Sequence, residues 1–316
     1  MKRTFFILMF AMMAMVYSQA QQIAVVNGNS TTLCQTLKEA INAAKSGSVI
    51  YLPAGGFQIG ADSINRKVTI IGVGHKAASN NADGNTVISG ELCFNQGSSG
   101  SAVMGCYISG DVKIGYDNKS VNNVLVKYCN VNSVNVRNTK CTGTIVNQNY
   151  IRGTSYFYGA SASFKNNVAY HIRNLDGGII SYNIFRAGSS GYYTFEDCNS
   201  CTISHNVILG SSWFGPSDND IYENMSESTW GQEAIAIGAS WTDVFSNYNN
   251  GAISPASSFH FSDAYSEYEG RVGIYAGSGF SDSAMPPVPY ISFKSIPEQT
   301  DNDGKLKIKI RVKASE

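Results

Sequence analysis

A repeated pattern with a spacing near 20 residues constrains the fold of this chain more than any other feature. Each copy has an apolar residue, two variable residues, then Asn or Cys, followed by mostly apolar residues. The copies begin at Val103, Val126, Val146, Phe164, Ile180, Ile203, Ile221 and Val244. The fourth positions lie between 16 residues (Asn167 to Asn183) and 23 residues (Cys106 to Cys129) apart. A spacing that varies in this way excludes a coiled coil and is typical of stacked coils of short strands joined by loops of different lengths.

The Asn or Cys at the fourth position of each copy predicts an internal ladder. The first residue of every copy is apolar, which places it in a core shared by successive coils. Asn at a bend can adopt a left-handed backbone, and stacked Asn side chains can hydrogen-bond to one another. Cys106 and Cys129 would then be small buried replacements for Asn. We therefore interpret this column as structural and not as a set of ligands.

The two ends of the repeat region predict different elements. Apolar residues at helical spacing between Leu33 and Ala44 indicate a short amphipathic helix that closes the open core before the first coil. Prolines from Pro286 onward indicate a stiff connector, and the alternating Lys305–Lys313 segment indicates a β-hairpin whose lysines face solvent. The expected organisation is a solenoid over residues 21–284 followed by a connector and hairpin over 285–316.

The first 20 residues have the pattern of a signal peptide. Lys2 and Arg3 are followed by an apolar run over residues 5–16 and by small residues at Ser18 and Ala20. The run is shorter than the roughly 20 residues that cross a bilayer. We expect an exported protein that is secreted, periplasmic or at the cell surface, with no membrane span after signal removal. Its 23 Lys and Arg balance 23 Asp and Glu, which argues against nucleic-acid binding. The oligomeric state stays open.

Residues 36–74 carry a more specific similarity. The stretch TLKEAINAAKSGSVIYLPAGGFQIGADSINRKVTIIGVG resembles the opening of secreted pectin-lyase-like β-helix proteins, with a helix, a glycine turn, a first strand and a strand ending in Thr-Ile-x-Gly. With the later repeats, the resemblance extends from about residue 30 to about residue 250. It implies an all-β, single-stranded right-handed parallel β-helix from an exported, carbohydrate-related superfamily. It does not specify an activity.

The acidic residues do not form an obvious catalytic set. Calcium-dependent lyases of this superfamily need several carboxylates on one strand face. Asp176, Glu196 and Asp197 stand at different distances from their ladder residues, so we expect no shared face, no calcium site and no other metal or cofactor. Hydrolases need paired carboxylates, and the acidic run around Asp218 is explained equally well by a loop between coils. Esterases would need paired Asp and an Arg on neighbouring strands, which cannot be identified.

Four residues suggest a metal-free lyase as an alternative activity. Arg152, Tyr170 and Arg186 follow the ladder position by three residues on consecutive coils, and His171 adjoins Tyr170. The spacing predicts that they stack on one outer face, where Arg could act as the base and Tyr or His as the acid. The alternative is that these side chains only solvate an exposed sheet.

Aromatic residues at comparable places in their coils suggest a sugar-binding groove. They are Tyr156, Tyr193, Trp213 and Trp230. Sugar rings stack on such side chains, although loop packing would also use them. The leading hypothesis is therefore a β-helix that binds polysaccharide, with binding favoured over cleavage because the known acid clusters are missing. A structural or surface-interaction rod and a metal-free polysaccharide lyase are the alternatives.

The cysteines are expected to be buried thiols. Their odd number, seven, argues against a disulfide framework, although a local disulfide is an alternative. The single Cys198–Cys201 CxxC motif has no second pair and no histidine cluster beside it, which is weak support for zinc.

Overall fold

Short strands of two to seven residues stack coil upon coil into a parallel β-solenoid. The computed structural model describes residues 22–60, 63–75, 84–116, 119–186, 193–209, 218–226, 233–234, 239–248, 257–282, 285–287, 289–295, 299–300 and 303–314. The predicted parallel β-helix is confirmed. The predicted signal peptide over residues 1–20 lies outside the described residues.

The first sheet has 11 strands; the first strand of the chain runs antiparallel to both of its neighbours, and all other neighbouring strands are parallel. Its strands are β1 (Ile23–Asn27), β2 (Ser30–Cys34), β3 (Ser48–Tyr51), β6 (Val68–Ile71), β9 (Ala102–Met104), β12 (Leu125–Lys127), β15 (Thr144–Asn147), β18 (Ala162–Lys165), β21 (Ile179–Ser181), β24 (Thr202–Ser204) and β26 (Asp220–Tyr222).

The second sheet has 10 parallel strands and follows the first sheet around a bend in each coil. Its strands are β4 (Gly55–Gln58), β7 (Thr86–Ser89), β10 (Tyr107–Ile108), β13 (Asn130–Val131), β16 (Tyr150–Ile151), β19 (Val168–Ala169), β22 (Ile184–Phe185), β25 (Val207–Ile208), β27 (Met225–Ser226) and β28 (Glu233–Ala234).

The third side of the solenoid consists of a four-stranded and a three-stranded parallel sheet. The strands are β5 (Ser63–Ile64), β8 (Leu92–Phe94), β11 (Val112–Ile114), β14 (Val134–Val136), β17 (Thr154–Ala160), β20 (His171–Leu175) and β23 (Phe195–Glu196). The Tyr156 backbone N donates to Asn135 Oδ1 at 3.1 Å, which joins the two sheets side by side. We call their combined outward surface the third face.

The ladder occupies the bend between the first two sheets, as predicted. Five buried asparagines on consecutive coils pair through their side chains, and the Cys129 backbone N donates to Asn149 Oδ1 at 2.9 Å at the N-terminal end of the series. They are Asn149, Asn167, Asn183, Asn206 and Asn224. Cys106 and Cys129 fill the preceding slots without any exposure, and burial raises the pKa of the Cys129 thiol to about 12.

The left-handed backbone falls one residue earlier than the sequence predicts. The ladder asparagines have ordinary backbone angles, whereas the residue before each one has a φ between 51° and 59°. These residues are Gln148, Asn166, Tyr182, His205 and Glu223, and Tyr128 and Gly105 hold the same place before the two cysteines. The turn therefore directs the amide of each Asn inward and the side chain before it outward.

Near the N-terminus the helix is shorter than predicted. α1 (Leu37–Ala43) begins after Thr36, whose hydroxyl accepts from the Glu39 backbone N at 3.2 Å. Leu37, Ala40 and Ile41 are buried, but Leu33 belongs to β2 and is 60% exposed. The helical spacing of apolar residues from Leu33 to Ala44 therefore predicted a helix correctly only for its last two turns.

The C-terminal segment packs against the outside of the second sheet. It contains α2 (Trp241–Val244) and a 3₁₀ helix (Asp263–Tyr268). Its buried aromatic and aliphatic residues form a second core with Tyr150, Val168, Ile184, Val207 and Met225, whose side chains leave the second sheet on its outer side. The predicted eighth repeat at Val244 is wrong, because Val244 ends α2 instead of starting a coil.

Residues 270–282 form a strap that runs back along the solenoid over the left-handed residues. The Gly273 backbone N donates to the His205 carbonyl at 2.9 Å. Further along, Asn166 Nδ2 donates to the carbonyls of Ile274 and Ala276 at 2.9 and 2.8 Å. The Ser281 backbone N then donates to Gln148 Oε1 at 3.0 Å. The strap therefore contacts four consecutive coils, those of residues 205, 182, 166 and 148.

An antiparallel strand pair follows at the C-terminal end. β29 (Pro289–Ser295) pairs with β30 (Lys309–Ala314) in a separate two-stranded sheet. Leu306, Ile308, Ile310 and Val312 are between 44% and 59% exposed, so the alternation leaves apolar as well as basic side chains in solvent. None of the described helices has the length and apolarity needed to cross a membrane.

Candidate functional site

The third face carries a row of outward side chains from six consecutive coils. The row reads Cys93, Lys113, Asn135, Tyr156, Arg173 and Glu196. Inward neighbours such as Phe94, Phe157 and Phe195 are buried in the solenoid core, which fixes the alternate residues outward. Because neighbouring strands are about 4.8 Å apart, the row is a straight strip along the solenoid axis.

Tyr156, Arg173 and Glu196 form the centre of this row. The Arg173 guanidinium hydrogen-bonds Glu196 Oε1 and donates to the Tyr156 hydroxyl at 3.1 Å. It also lies 5.5 Å from the Tyr156 ring centroid. The hydrogen bond that Arg173 donates to Glu196, and then the one it donates to Tyr156, raise the pKa of Arg173, so its charge is fixed. This network holds the Tyr156 ring in one place while leaving it half-exposed.

A second tyrosine extends the aromatic surface. Tyr158 lies 6.0 Å from Tyr156 between ring centroids and is 42% exposed. Arg137 donates to the Tyr158 hydroxyl at 2.9 Å, and its guanidinium carbon lies 5.1 Å from the ring centroid. Two tyrosines, each oriented by an arginine, therefore stand side by side on the third face. The aromatic run at residues 156–158 pointed to a sugar-binding surface, with Tyr156 as its named residue, and the structure adds Tyr158 beside it.

The row continues toward the N-terminus through paired polar groups. Lys113 Nζ lies 2.5 Å from Glu91 Oε2. Asp111 accepts from Asn132 Nδ2 at 2.8 Å and from Asn135 Nδ2 at 2.9 Å. Asn135 is buried, whereas Glu91, Asp111, Lys113 and Asn132 are at least partly exposed. The exposed groups are already oriented by these contacts, which suits them to hydrogen-bond sugar hydroxyls.

A groove of about 310 Å³ lies at the edge of the third face. Its lining residues are Tyr158, Gly159, Asn174, Asp176, Asp197 and Asn199. The expectation that Asp176 and Asp197 share no face is wrong. Glu196 follows its ladder residue Asn183 by 13 positions, whereas Arg173 follows Asn167 by six, so distances counted from the ladder differ between coils. The backbone nevertheless pairs Arg173 with Glu196 and Asp176 with Asn199.

Arg152 does not join the predicted catalytic group. Its guanidinium hydrogen-bonds Asn130 Oδ1, donates to the carbonyls of Ile108 and Ser109 at 2.9 and 3.1 Å, and lies 4.6 Å from the Tyr107 ring centroid. Burial lowers the pKa of Arg152, yet its donors are used by earlier coils. Arg152 thus reaches toward the N-terminal coils and away from Tyr170.

The other predicted residues do meet. The Tyr170 and His171 rings stack at 4.4 Å, and the Arg186 guanidinium carbon lies 6.0 Å from the Tyr170 ring centroid. His171 is only 3% exposed, and burial, followed by the charge of Arg173, lowers its pKa. A buried, neutral imidazole beside a tyrosine is compatible with proton transfer, but its side chain faces little solvent.

Of the remaining predicted aromatic residues, Tyr193 lies within the described part of the chain. Tyr193 is 47% exposed and precedes Thr194, whose carbonyl accepts from the Ile172 backbone N, so it lies one coil beyond Tyr170. Trp213 and Trp230 lie outside the described residues. Among the residues that the structure describes, no three His, Cys, Asp or Glu side chains group closely enough to hold a metal ion.

All seven cysteines are free thiols. Six are buried and Cys93 is half-buried at the end of the row, in agreement with the expectation of buried thiols. Comparison with protein-family models, with curated proteins and with solved structures finds no match to this chain.

Proposed function

We propose that this protein is an exported β-helix of the pectin-lyase-like kind that binds a polysaccharide along its third face. The observation that carries the proposal is the pair of arginine-oriented tyrosines, Tyr156 and Tyr158, in a straight row of polar side chains. Sugar rings stack on exposed aromatic faces, while the flanking amides and charged groups bond to hydroxyls. A solenoid repeats such positions along its axis, which suits a chain-like ligand.

The test uses the mature chain, from Gln21 onward, on an array of polysaccharides that includes uronate polymers. We expect retention on at least one polymer, and Tyr156→Ala and Tyr158→Ala should each weaken it about tenfold, equivalent to about 1.4 kcal/mol. Tyr51→Ala is the matched control, because Tyr51 is similarly exposed (41%) but lies on the first sheet. Retention that is lost equally in all three variants, or no retention on a broad array, would contradict the proposal and favour a structural rod.

The contact of Arg186 with Tyr170, and of Tyr170 with His171, supports a metal-free polysaccharide lyase as a second candidate. A lyase leaves an unsaturated sugar end that absorbs in the ultraviolet. The same array samples, read for this absorbance, separate the two functions. Absorbance that disappears in Tyr170→Phe and Arg186→Gln but persists in Tyr156→Ala would favour the lyase.

A further inference from the structure

Two cations on the third face are paired with carboxylates of the protein. Glu91 pairs with Lys113, and Glu196 pairs with Arg173. A cation in such a pair gains little from a second anion, because its charge is already compensated. A third cation, Arg137, donates to the hydroxyl of Tyr158 and lies against its ring, but it is not among the residues that line the groove beside Tyr158.

The groove beside these cations has the opposite character. Asp176 and Asp197 both line it, and the described lining residues include no lysine or arginine. Neither carboxylate forms an ion pair within the described part of the chain. Asp197 accepts a side-chain hydrogen bond from a neutral amide, Asn174 Nδ2, at 3.4 Å. The groove therefore presents two uncompensated negative charges to a ligand.

These two features restrict the kind of glycan that can lie across the third face. Carboxylates accept hydrogen bonds from hydroxyl groups, and two neighbouring hydroxyls can share one carboxylate. A uronate or sulfate placed in the groove would instead meet two like charges, and none of the described residues that line the groove is a cation. Building in repulsion against one ligand class is a general route to specificity.

Resting on the binding function proposed above, we infer that the third face selects glycans without acidic groups, whose hydroxyls donate to Asp176 and Asp197. Tyr158 lines the same groove, so a sugar stacked on its ring has its hydroxyls next to both carboxylates. The selectivity is thus a property of the groove and separate from the stacking on Tyr156.

The test compares polymers that share a backbone and differ in charge. Hydroxyethyl cellulose and carboxymethyl cellulose form one pair, and methyl-esterified and free polygalacturonate form another. Affinity electrophoresis at low ionic strength, where charge effects are least screened, gives a dissociation constant for each. For every backbone that is bound, we expect the neutral polymer to bind at least about fivefold more tightly, the factor for one exposed charge pair at about 4 Å.

Variants then assign the selectivity to the groove. Asp197→Asn and Asp176→Asn should each reduce the preference by about fivefold. Asp220→Asn is the control, because Asp220 is an exposed carboxylate on the first sheet and its loss changes the net charge equally. Equal or tighter binding of the acidic polymer by the unaltered protein would overturn the inference while leaving the binding function standing. An Asp197→Asn effect no larger than that of Asp220→Asn would also overturn it. If neither backbone is bound, the comparison is made on charged and neutral forms of a polymer that the array retains, and an array that retains no polymer contradicts the binding function itself.

Discussion

The side-chain oxygen of Asn167 accepts two hydrogen bonds from Asn149 in the preceding coil, from its backbone N at 2.9 Å and from its Nδ2 at 3.0 Å. Both asparagines are completely buried. The side-chain oxygen of one ladder asparagine therefore accepts hydrogen bonds from both the backbone N and the side-chain amide of the preceding asparagine. Because no solvent reaches these groups, their hydrogen bonds have no replacement when one asparagine is removed.

Asn167→Ala should lower the free energy of unfolding by about 3 kcal/mol. The change leaves the Asn149 backbone N without an acceptor and Asn149 Nδ2 with only the Val126 carbonyl. One unsatisfied buried polar group costs about 1–3 kcal/mol. Urea denaturation followed by circular dichroism measures the loss. Asn42→Ala, at an exposed position on α1, should change stability by less than about 0.5 kcal/mol. Equal effects of the two substitutions would argue against the ladder.

Gly277→Ala should be more destabilising than Gly270→Ala. Both glycines have a left-handed backbone, with φ of 64° and 76°, so each alanine costs about 1–2 kcal/mol from the backbone alone. A Cβ at Gly277 would also lie 2.8 Å from the Tyr182 ring, whereas one at Gly270 would meet no atom within 4 Å. The difference between the two variants in thermal denaturation isolates the contact between the strap and Tyr182.

The same comparison in a Tyr182→Ala background serves as the control. Without the ring, Gly277→Ala and Gly270→Ala should cost about the same. A difference that persists would mean that the strap does not dock on Tyr182.

The buried His171 predicts a loss of stability in mild acid. Its pKa is lowered in the folded protein, so between its folded pKa and the ordinary value near 6.5 the unfolded chain binds more protons. Stability then falls as the pH decreases through this window. The melting temperature of His171→Gln should vary less between about pH 7 and pH 5 than that of the unaltered protein. A His171→Gln variant whose melting temperature varies with pH as much as that of the unaltered protein would contradict this prediction.

Cys93 should be the one thiol that reacts with a maleimide in the native protein. It is the only half-buried cysteine, and the other six are buried. Its own reaction should be slow, since burial raises its pKa. Mass spectrometry after brief labelling should show a single adduct that Cys93→Ser abolishes. Adducts on Cys106 or Cys129 under native conditions would show that the ladder bend opens to solvent.

Much of the architecture could be predicted from the sequence because the repeat records which residues face inward. The apolar residue and the Asn or Cys of seven copies give the coil, its ladder and its approximate spacing. The copy at Val244 failed because the same four-residue pattern also suits the last turn of a short helix followed by a bend. Nothing in a local pattern distinguishes the two, since only a neighbouring coil makes the Asn a ladder residue.

The candidate site was harder to predict because the number of residues between the ladder and the third sheet differs from coil to coil. Counting from Asn183 misplaced Glu196 and Asp197, because Glu196 follows its ladder residue by 13 positions whereas its strand partner Arg173 follows Asn167 by six. Counting inward and outward residues on the third sheet itself would have aligned Tyr156 with Arg173. The direction of Arg152 could not be foreseen, because its partners are main-chain carbonyls from two coils away.

The strap also changes how the molecule should come apart under stress. In a simple solenoid each coil contacts only the adjacent coils, so the ends can fray one repeat at a time. Here Asn166 and Gln148 bond to residues more than 100 positions later in the chain. The four coils that contain residues 148, 166, 182 and 205 cannot separate without releasing the strap, so the strap couples them into one cooperative unit. A force applied to the C-terminus would therefore act on several coils at once, and these coils should unfold together and not one repeat at a time.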